Sequence, residues 1–286
     1  MLQCKIQPPQ YLPPQAHLGM NSNSNHAQDW LRLAELPRAG LELGHLITAA
    51  PWLSLAPQGD GHPVMVIPGF LADDDSTRIL RHFVGHLGYS DHVWGQGRNL
   101  GAARMGGYEP LVKQVLRLYR KTGQQVSLIG WSLGGVHAAA VAQRAGYAVR
   151  QVVTLGSPLL YGRDSTVMLR ALQATARALN SHLHPPPAGH GGRQQDSLYN
   201  VRLPVTSIFS RTDGVVPWQR SWLPAGPQRD NVEVFSSHIG LGFNASVLFV
   251  VADRLAQSPT EFTPFHRRGW RAWVYPNPEA ENPPAV

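Results

Sequence analysis

From His62 onward, short apolar runs alternate with helical patterns, and this rhythm constrains the fold more than any other feature of the chain. The runs are Val64–Ile67, Tyr89–Trp94, Val126–Ile129, Val152–Leu155, Val205–Phe209 and Val232–Phe235. Each is short enough to be a strand and is separated from the next by turn residues or a helical pattern. The spacing predicts helices over Asp75–Leu87, Glu109–Lys121, Leu133–Ala145, Ser165–Leu183 and Asn244–Leu255. In the second of these, Leu111, Val115 and Leu118 fall on one face. Strands that alternate with helices cannot pair through tight hairpins, so they build a mostly parallel sheet, here of about six core strands, with helices on both faces. With 286 residues, 43% of them hydrophobic, the chain can bury one sizeable core, and one large α/β domain is expected rather than two small ones.

The flanks read differently. Residues 1–28 are rich in Pro, Gln, Asn and Ser and are expected to be a disordered leader, and residues 276–286 a tail of the same kind. Residues 29–61 form an N-terminal helical segment in which Pro37 is placed to open a helix. Its Leu41, Ile47 and Leu53 are expected to pack on the main domain, residues 62–275. Within that domain the interval 157–203 breaks the rhythm. Met168, Leu172, Leu179 and Leu183 form an apolar stripe that ends at Pro185–Pro187, which suits a small cap over one end of the sheet or a crossover helix with a long loop.

Composition narrows the function classes. The single cysteine, Cys4, permits no intrachain disulfide, which suits a cytoplasmic protein. The net charge of +7 comes from scattered Lys and Arg, not from a basic stripe, so a nucleic-acid partner is not expected. A weak attraction to anionic lipid surfaces is the partner this charge leaves open. The stretch Ala39–Ala56 is interrupted by Glu42, His45 and Pro51, and no transmembrane segment is expected.

Residues 130–135, Gly-Trp-Ser-Leu-Gly-Gly, lie between the run Val126–Ile129 and the helical pattern from Leu133. Glycines at 130, 134 and 135 permit a sharp turn and a close strand–helix approach, which is the context that raises a serine hydroxyl above the sheet as a nucleophile. Such a serine needs a base to take its proton and a carboxylate to orient that base. On this architecture both should follow later strands, the acid first. Asp213 lies four residues past Phe209, and His238 three residues past Phe235. Asp213 is also suited to cap the turn at Gly214, and Asp230 and Glu233 are the other acids in reach. An oxyanion would be held by the backbone N–H of Leu133 and by that of Phe70, or failing that Leu71, in the loop after the first core strand.

With these residues in view, the chain resembles an α/β-hydrolase of the lipase and esterase group over roughly Val64 to Gln257. The likeness rests on VIPGF, GWSLGG, LGSP, SRTDGVVPW and SSHIGLGFNASVLFVVADRLAQ, and the last of these, with WGQGRNLG, is similar to a group of bacterial lipase-like hydrolases. It implies the α/β-hydrolase fold with a small cap insertion. It also implies Ser132 as nucleophile, Asp213 as acid, His238 as base, and Phe70 with Leu133 as oxyanion donors. Pro68-Gly69 stands where many lipases have His-Gly, and Leu159 where many have His after Gly-Ser-Pro, so substrate preference does not carry over. The function implied is hydrolysis of carboxylic esters with apolar acyl groups, without cofactor or metal. Phe70, Leu71 and Trp131 are expected to wall the acyl site. Acyl transfer by the same triad is the nearest alternative, and a non-catalytic binding protein on this fold the next.

Two further motifs are set aside. The glycines at 95, 97 and 101 miss the dinucleotide spacing by one residue, and Asn99 between them reads as a structural hydrogen-bonder. His182, His184 and His190 lie in a proline-broken stretch without acidic or thiolate company and read as solvent-exposed, not as metal ligands.

Overall fold

The computed structural model describes residues 29–159 and 201–278. The strands β1 (Pro63–Ile67), β2 (Ser90–Val93), β3 (Val126–Trp131), β4 (Val149–Leu155), β5 (Val205–Phe209) and β6 (Arg229–Glu233) form one sheet in the order β2-β1-β3-β4-β5-β6. All five pairings are parallel. Side chains alternate across the pleat, and the alternation builds two cores. Val64, Val66, Ile129 and Trp131 face one, whereas Met65, Ile67, Val126 and Leu128 face the other.

Four longer helices cover these faces beside α1 (Glu35–Leu53): α2 (Arg78–His86), α3 (Glu109–Thr122), α4 (Leu133–Arg144) and α5 (Ala245–Leu255). Helices α1, α2 and α5 share the first core, and α3 and α4 the second. Leu111 and Val115 of α3 are fully buried and Leu118 packs at the edge of the same core, as the spacing predicts. No helix among the described residues is long and apolar enough to cross a membrane. Of the interval expected to form a cap, residues 160–200, with Ser165–Leu183 and the three histidines at 182, 184 and 190, lie outside the described residues.

Two expectations are corrected. The last strand begins at Arg229 and ends at Glu233, not at Phe235, which is 66% exposed. Its polar residues fit an edge strand because each has a partner. Asn231 exchanges two hydrogen bonds with the backbone of Leu223, and Asp230 accepts from the amide of Phe265. The second correction concerns α1. Leu41 and Ile47 are each 76% exposed, and only Leu53 of the expected three is buried. The inward face is instead Glu35, Ala39, Glu42, Leu46, Ala49 and Leu53, spaced alternately by four and three residues. Two carboxylates hold inward positions that a periodicity argument gives to leucine, and they do so because backbone amides await them there.

The strand order places the site. The chain steps from β1 outward to β2, then returns past β1 to β3, so β1 and β3 are neighbours whose following loops leave in opposite directions. At such a switch point a crevice opens beyond the carboxyl ends of the strands. Helix α4 can start there only because its first turn is nearly bare. A Cβ on Gly134 would lie 2.2 Å from the carbonyl oxygen of Ile67, and one on Gly130 would lie 2.4 Å from Gly135. Gly44 on α1, by contrast, has nothing within 4 Å of its would-be Cβ. Gly134→Ala should therefore destabilise the fold by about 1–3 kcal/mol, while Gly44→Ala should be neutral or stabilise it by up to ~1 kcal/mol. Urea unfolding of the two variants checks the opposite signs.

Candidate active site

Ser132 joins β3 to α4 with φ 54° and ψ −122°, a left-handed backbone that costs a side-chain-bearing residue on the order of 1–3 kcal/mol. Its amide donates to the carbonyl of Leu155 at 2.8 Å, and its carbonyl accepts from Gly135 at 3.0 Å, so the turn is held from both sides. The residue is partly exposed while the glycines behind it are buried. A Cβ on Gly69 would lie 3.2 Å from that of Ser132, so the loop after β1 closes directly onto the serine.

That loop is clamped by one side chain. Asn99 is fully buried; its Nδ2 donates to the carbonyl of Pro68 at 2.8 Å. Its backbone carbonyl accepts from Leu71 and its amide donates to Ala72, each at 2.8 Å. Leu71, held this way, takes a positive φ of 62°. The Oδ1 of Asn99 accepts from Gly101 and, at 3.1 Å, from Nε2 of His137 on α4. Burial holds His137 down at about 4, which keeps it a neutral ring in the framework. Phe70 and Leu71 are half-buried at the rim.

Asp213 and His238 meet beyond β4. Nδ1 of His238 donates to Oδ2 of Asp213 at 2.6 Å, and both side chains are buried. A Cβ on Gly156, at the end of β4, would come within 2.9 Å of that carboxylate and 3.2 Å of the imidazole. The other carboxylate oxygen, Oδ1, accepts from the amides of Val215 and Val216 at 2.8 and 2.7 Å. Asp213 thus meets the imidazole through one oxygen and caps the turn at Gly214 through the other. Asp230 and Glu233 are engaged elsewhere, with Arg254 at 3.3 Å and Arg211 at 3.0 Å.

Burial works against protonation of His238, but the charge and hydrogen bond of Asp213 and the charge of Glu35 outweigh it and raise its pKa above the ordinary imidazole value. Trp131 stands differently from the sequence expectation. It is turned inward, with its ring against Gly242 and its indole N–H on the carbonyl of His238 at 3.1 Å, so it supports the base loop more than it walls an open pocket.

Sequence reasoning missed the carboxylates of α1. Glu35, 4% exposed, accepts from the amides of Gly214 at 2.8 Å and Ile239 at 3.2 Å, the residues that follow Asp213 and His238. Glu42 accepts from the amide of Ser237 and the hydroxyl of Ser236, both at 2.6 Å. The signal was present, since both acids share a helical face with Ala39, Leu46, Ala49 and Leu53.

A second Ser–His–Asp grouping lies at the amino edge of the sheet. Nε2 of His62 is 2.8 Å from the hydroxyl of Ser127, and its Nδ1 meets Asp60, which also accepts from Arg150 at 2.7 Å. Ser127 lies inside β3 and both it and His62 are fully buried, so no substrate can reach them. Three residue types in contact do not make a site. The exposed, strained turn at a helix start is what separates Ser132 from Ser127. Among the described residues no group of three or more His, Cys, Asp or Glu side chains could hold a metal ion.

No protein-family model matches the chain, and no curated protein matches it. Its likenesses are to solved structures. BpoC of Mycobacterium tuberculosis H37Rv, named as a non-heme bromoperoxidase, matches at 15% identity with a TM-score of 0.51, over 71% of this chain and 95% of that one. The mouse alpha/beta hydrolase domain-containing protein 10 matches at 18% identity with a TM-score of 0.49, over 69% and 90% of the two chains. A metagenome-derived lipolytic enzyme of the LipS and LipT pair matches at 16% and 0.49, over 70% and 94%. The six-stranded parallel sheet, the strand order and the strained strand-to-helix turn agree with the first of these likenesses: the chain has the α/β-hydrolase fold.

Proposed function

We propose that the protein is a serine hydrolase of carboxylic esters that works through an acyl-enzyme, with Ser132 as nucleophile, His238 as base and Asp213 as the acid that orients it. The observation that carries this reading is the 2.6 Å bond between Asp213 and His238 at the same sheet edge as a serine held at φ 54°. The bond fixes the tautomer with hydrogen on Nδ1, so Nε2 carries the lone pair that accepts the proton of Ser132. Ser132 Oγ attacks the ester carbonyl, and the carbonyl oxygen takes the negative charge. His238 then gives the proton to the leaving alcohol, and water repeats the sequence to release the acid and restore the serine.

The developing oxyanion is assigned to the amides of Leu133 and Phe70. Leu133 is the first residue of α4, where helix amides and the dipole favour negative charge. In the loop after β1, the amide of Leu71 donates to the carbonyl of Asn99, which favours Phe70 over Leu71 as the second donor. Half-buried Phe70 and Leu71 at the rim favour an apolar acyl group over a charged one.

Ser132→Ala should lower kcat for a p-nitrophenyl ester by at least about 10³-fold with the fold intact, and a fluorophosphonate probe should label Ser132 in the wild type. Mass spectrometry that finds the probe on another serine, or on none, removes the assignment. Since the neutral imidazole is the base, kcat/KM should rise with pH through the pKa of His238, at a midpoint above the ~6.5 of a free imidazole. Asp213→Asn should cut kcat on the order of 10⁴-fold by favouring the wrong tautomer. Asn99→Ala should release the loop that presents Phe70 and lower kcat by about 10²-fold, with little change in KM. Steady-state kinetics on the variants checks both.

A further inference from the structure

The helix that precedes the sheet reaches across the molecule to both loops that carry the acid and the base. We propose that Glu35 is a positioning residue for the Asp213–His238 pair: its single carboxylate bridges the two loops and places a second negative charge behind the imidazole. The proposal deepens the serine-hydrolase reading and rests on it.

Three observations carry it. First, the bridge is specific. Oε1 of Glu35 accepts from the amide of Gly214 and Oε2 from that of Ile239, so one group spans two loops that also meet through Asp213–His238 and through the hydroxyl of Thr212 on the carbonyl of Ser236. Gly214 has no room for a side chain, because its Cβ would lie 2.6 Å from the backbone of Leu31. The clasp is reinforced by Arg38, whose guanidinium donates to the carbonyl of Thr212 at 2.6 Å and its hydroxyl at 2.8 Å.

Second, a glutamate is a costly way to hold loops together. An ionised carboxylate loses hydration when buried and must be compensated by donors. Leu46 and Leu53 of this helix do face the core, yet Leu36 and Leu41 are exposed while Glu35, on the inward face, is 4% exposed. The inversion makes sense where a charge, and not merely an apolar plug, is wanted at that position.

Third, the surroundings identify what the charge acts on. The charged groups facing His238 are Asp213 from the acid loop and Glu35 from α1. Arg38, 3.9 Å from Glu35, is the nearest cation on that side and is occupied with Thr212. Glu42, two helical turns along, binds the amide of Ser237 and the side chain of Asn244, and so braces the base loop from its other end. Glu35 touches neither the ring nor the serine. It acts through the backbone and through its field, which stabilises the imidazolium that forms as Ser132 loses its proton.

The test is a pair of substitutions read in two ways. Glu35→Gln keeps the size and removes the charge; Glu42→Gln does the same to the structural brace. The imidazole of His238 is titrated by NMR in a Ser132→Ala background, so this readout does not depend on turnover. Glu35→Gln should move the His238 midpoint to lower pH, and in the otherwise wild-type enzyme should lower kcat about 10–100-fold with KM nearly unchanged. Glu42→Gln should lower the unfolding temperature and move the midpoint less. If Glu35→Gln leaves the midpoint where it was, or shifts it no more than Glu42→Gln does, Glu35 is scaffold and the inference falls. Should Glu35→Gln not fold, Glu35→Asp keeps the charge but cannot span both loops; it should lower kcat and hold the midpoint, and wild-type kcat in this variant overturns the bridge. A wild-type enzyme that is not labelled at Ser132 defeats the serine reading, whereas a labelled enzyme with an unmoved titration defeats only the role of Glu35.

Discussion

Everything at the candidate site depends on how closely α4 approaches the sheet. The helix starts at the residue after Ser132, and its first turn lies against the carbonyl of Ile67 and the glycine end of β3. At 2.2 Å from a would-be Cβ, that contact admits glycine alone. The closeness forces the serine into a left-handed backbone, because no ordinary turn reverses the chain in so little space. The strain is carried by the tight packing around it, which includes the buried alanines of α4 on the second core. The same approach brings the loop after β1 down onto the serine, where Gly69 leaves space for it.

Around this point the chain handles buried charge in one consistent way. Asp213, Glu35 and Glu42 are each answered by backbone amides, two of them in the case of Asp213 and of Glu35. Amides are fixed dipoles that cannot titrate, so they steady a carboxylate without neutralising it. The contrast between two buried histidines shows the effect. His137 has an amide oxygen of Asn99 and aromatic rings for company, and burial drives its pKa down to about 4. His238 is as deeply placed, but two carboxylates stand near it and raise its pKa. Burial alone does not decide the state of an imidazole; its neighbours do.

The N-terminal helix changes what counts as the functional unit. The three residues proposed as a triad come from loops after β3, β5 and β6, yet the spacing of two of those loops is tied to a helix that lies before the sheet in the chain. Its inward face combines Ala39, Leu46, Ala49 and Leu53 with the two glutamates, while Leu36, Leu41 and Ile47 stand in solvent on the other side.

Much of this was legible in the residues themselves. Short apolar runs and the 3.6-residue period located the strands and most helices, because each depends on neighbours a few positions away. The glycines at 130, 134 and 135 announced the turn at Ser132 for the same reason, and the positions of Asp213 and His238 just past later apolar runs marked them as a pair. Only the tertiary structure decided which carboxylate meets His238, that the amide of Leu71 donates to Asn99, and that Trp131 turns inward. Only it gave Glu35 its place, since the bonds of that carboxylate span 179 and 204 residues of sequence. Local pattern fixes which face of a segment is apolar; it holds no record of a distant amide that makes a buried charge tolerable. That is why Leu41 and Ile47 read as core and are not, and why Glu35 and Glu42 drew no notice in the sequence although both bond the loop of His238.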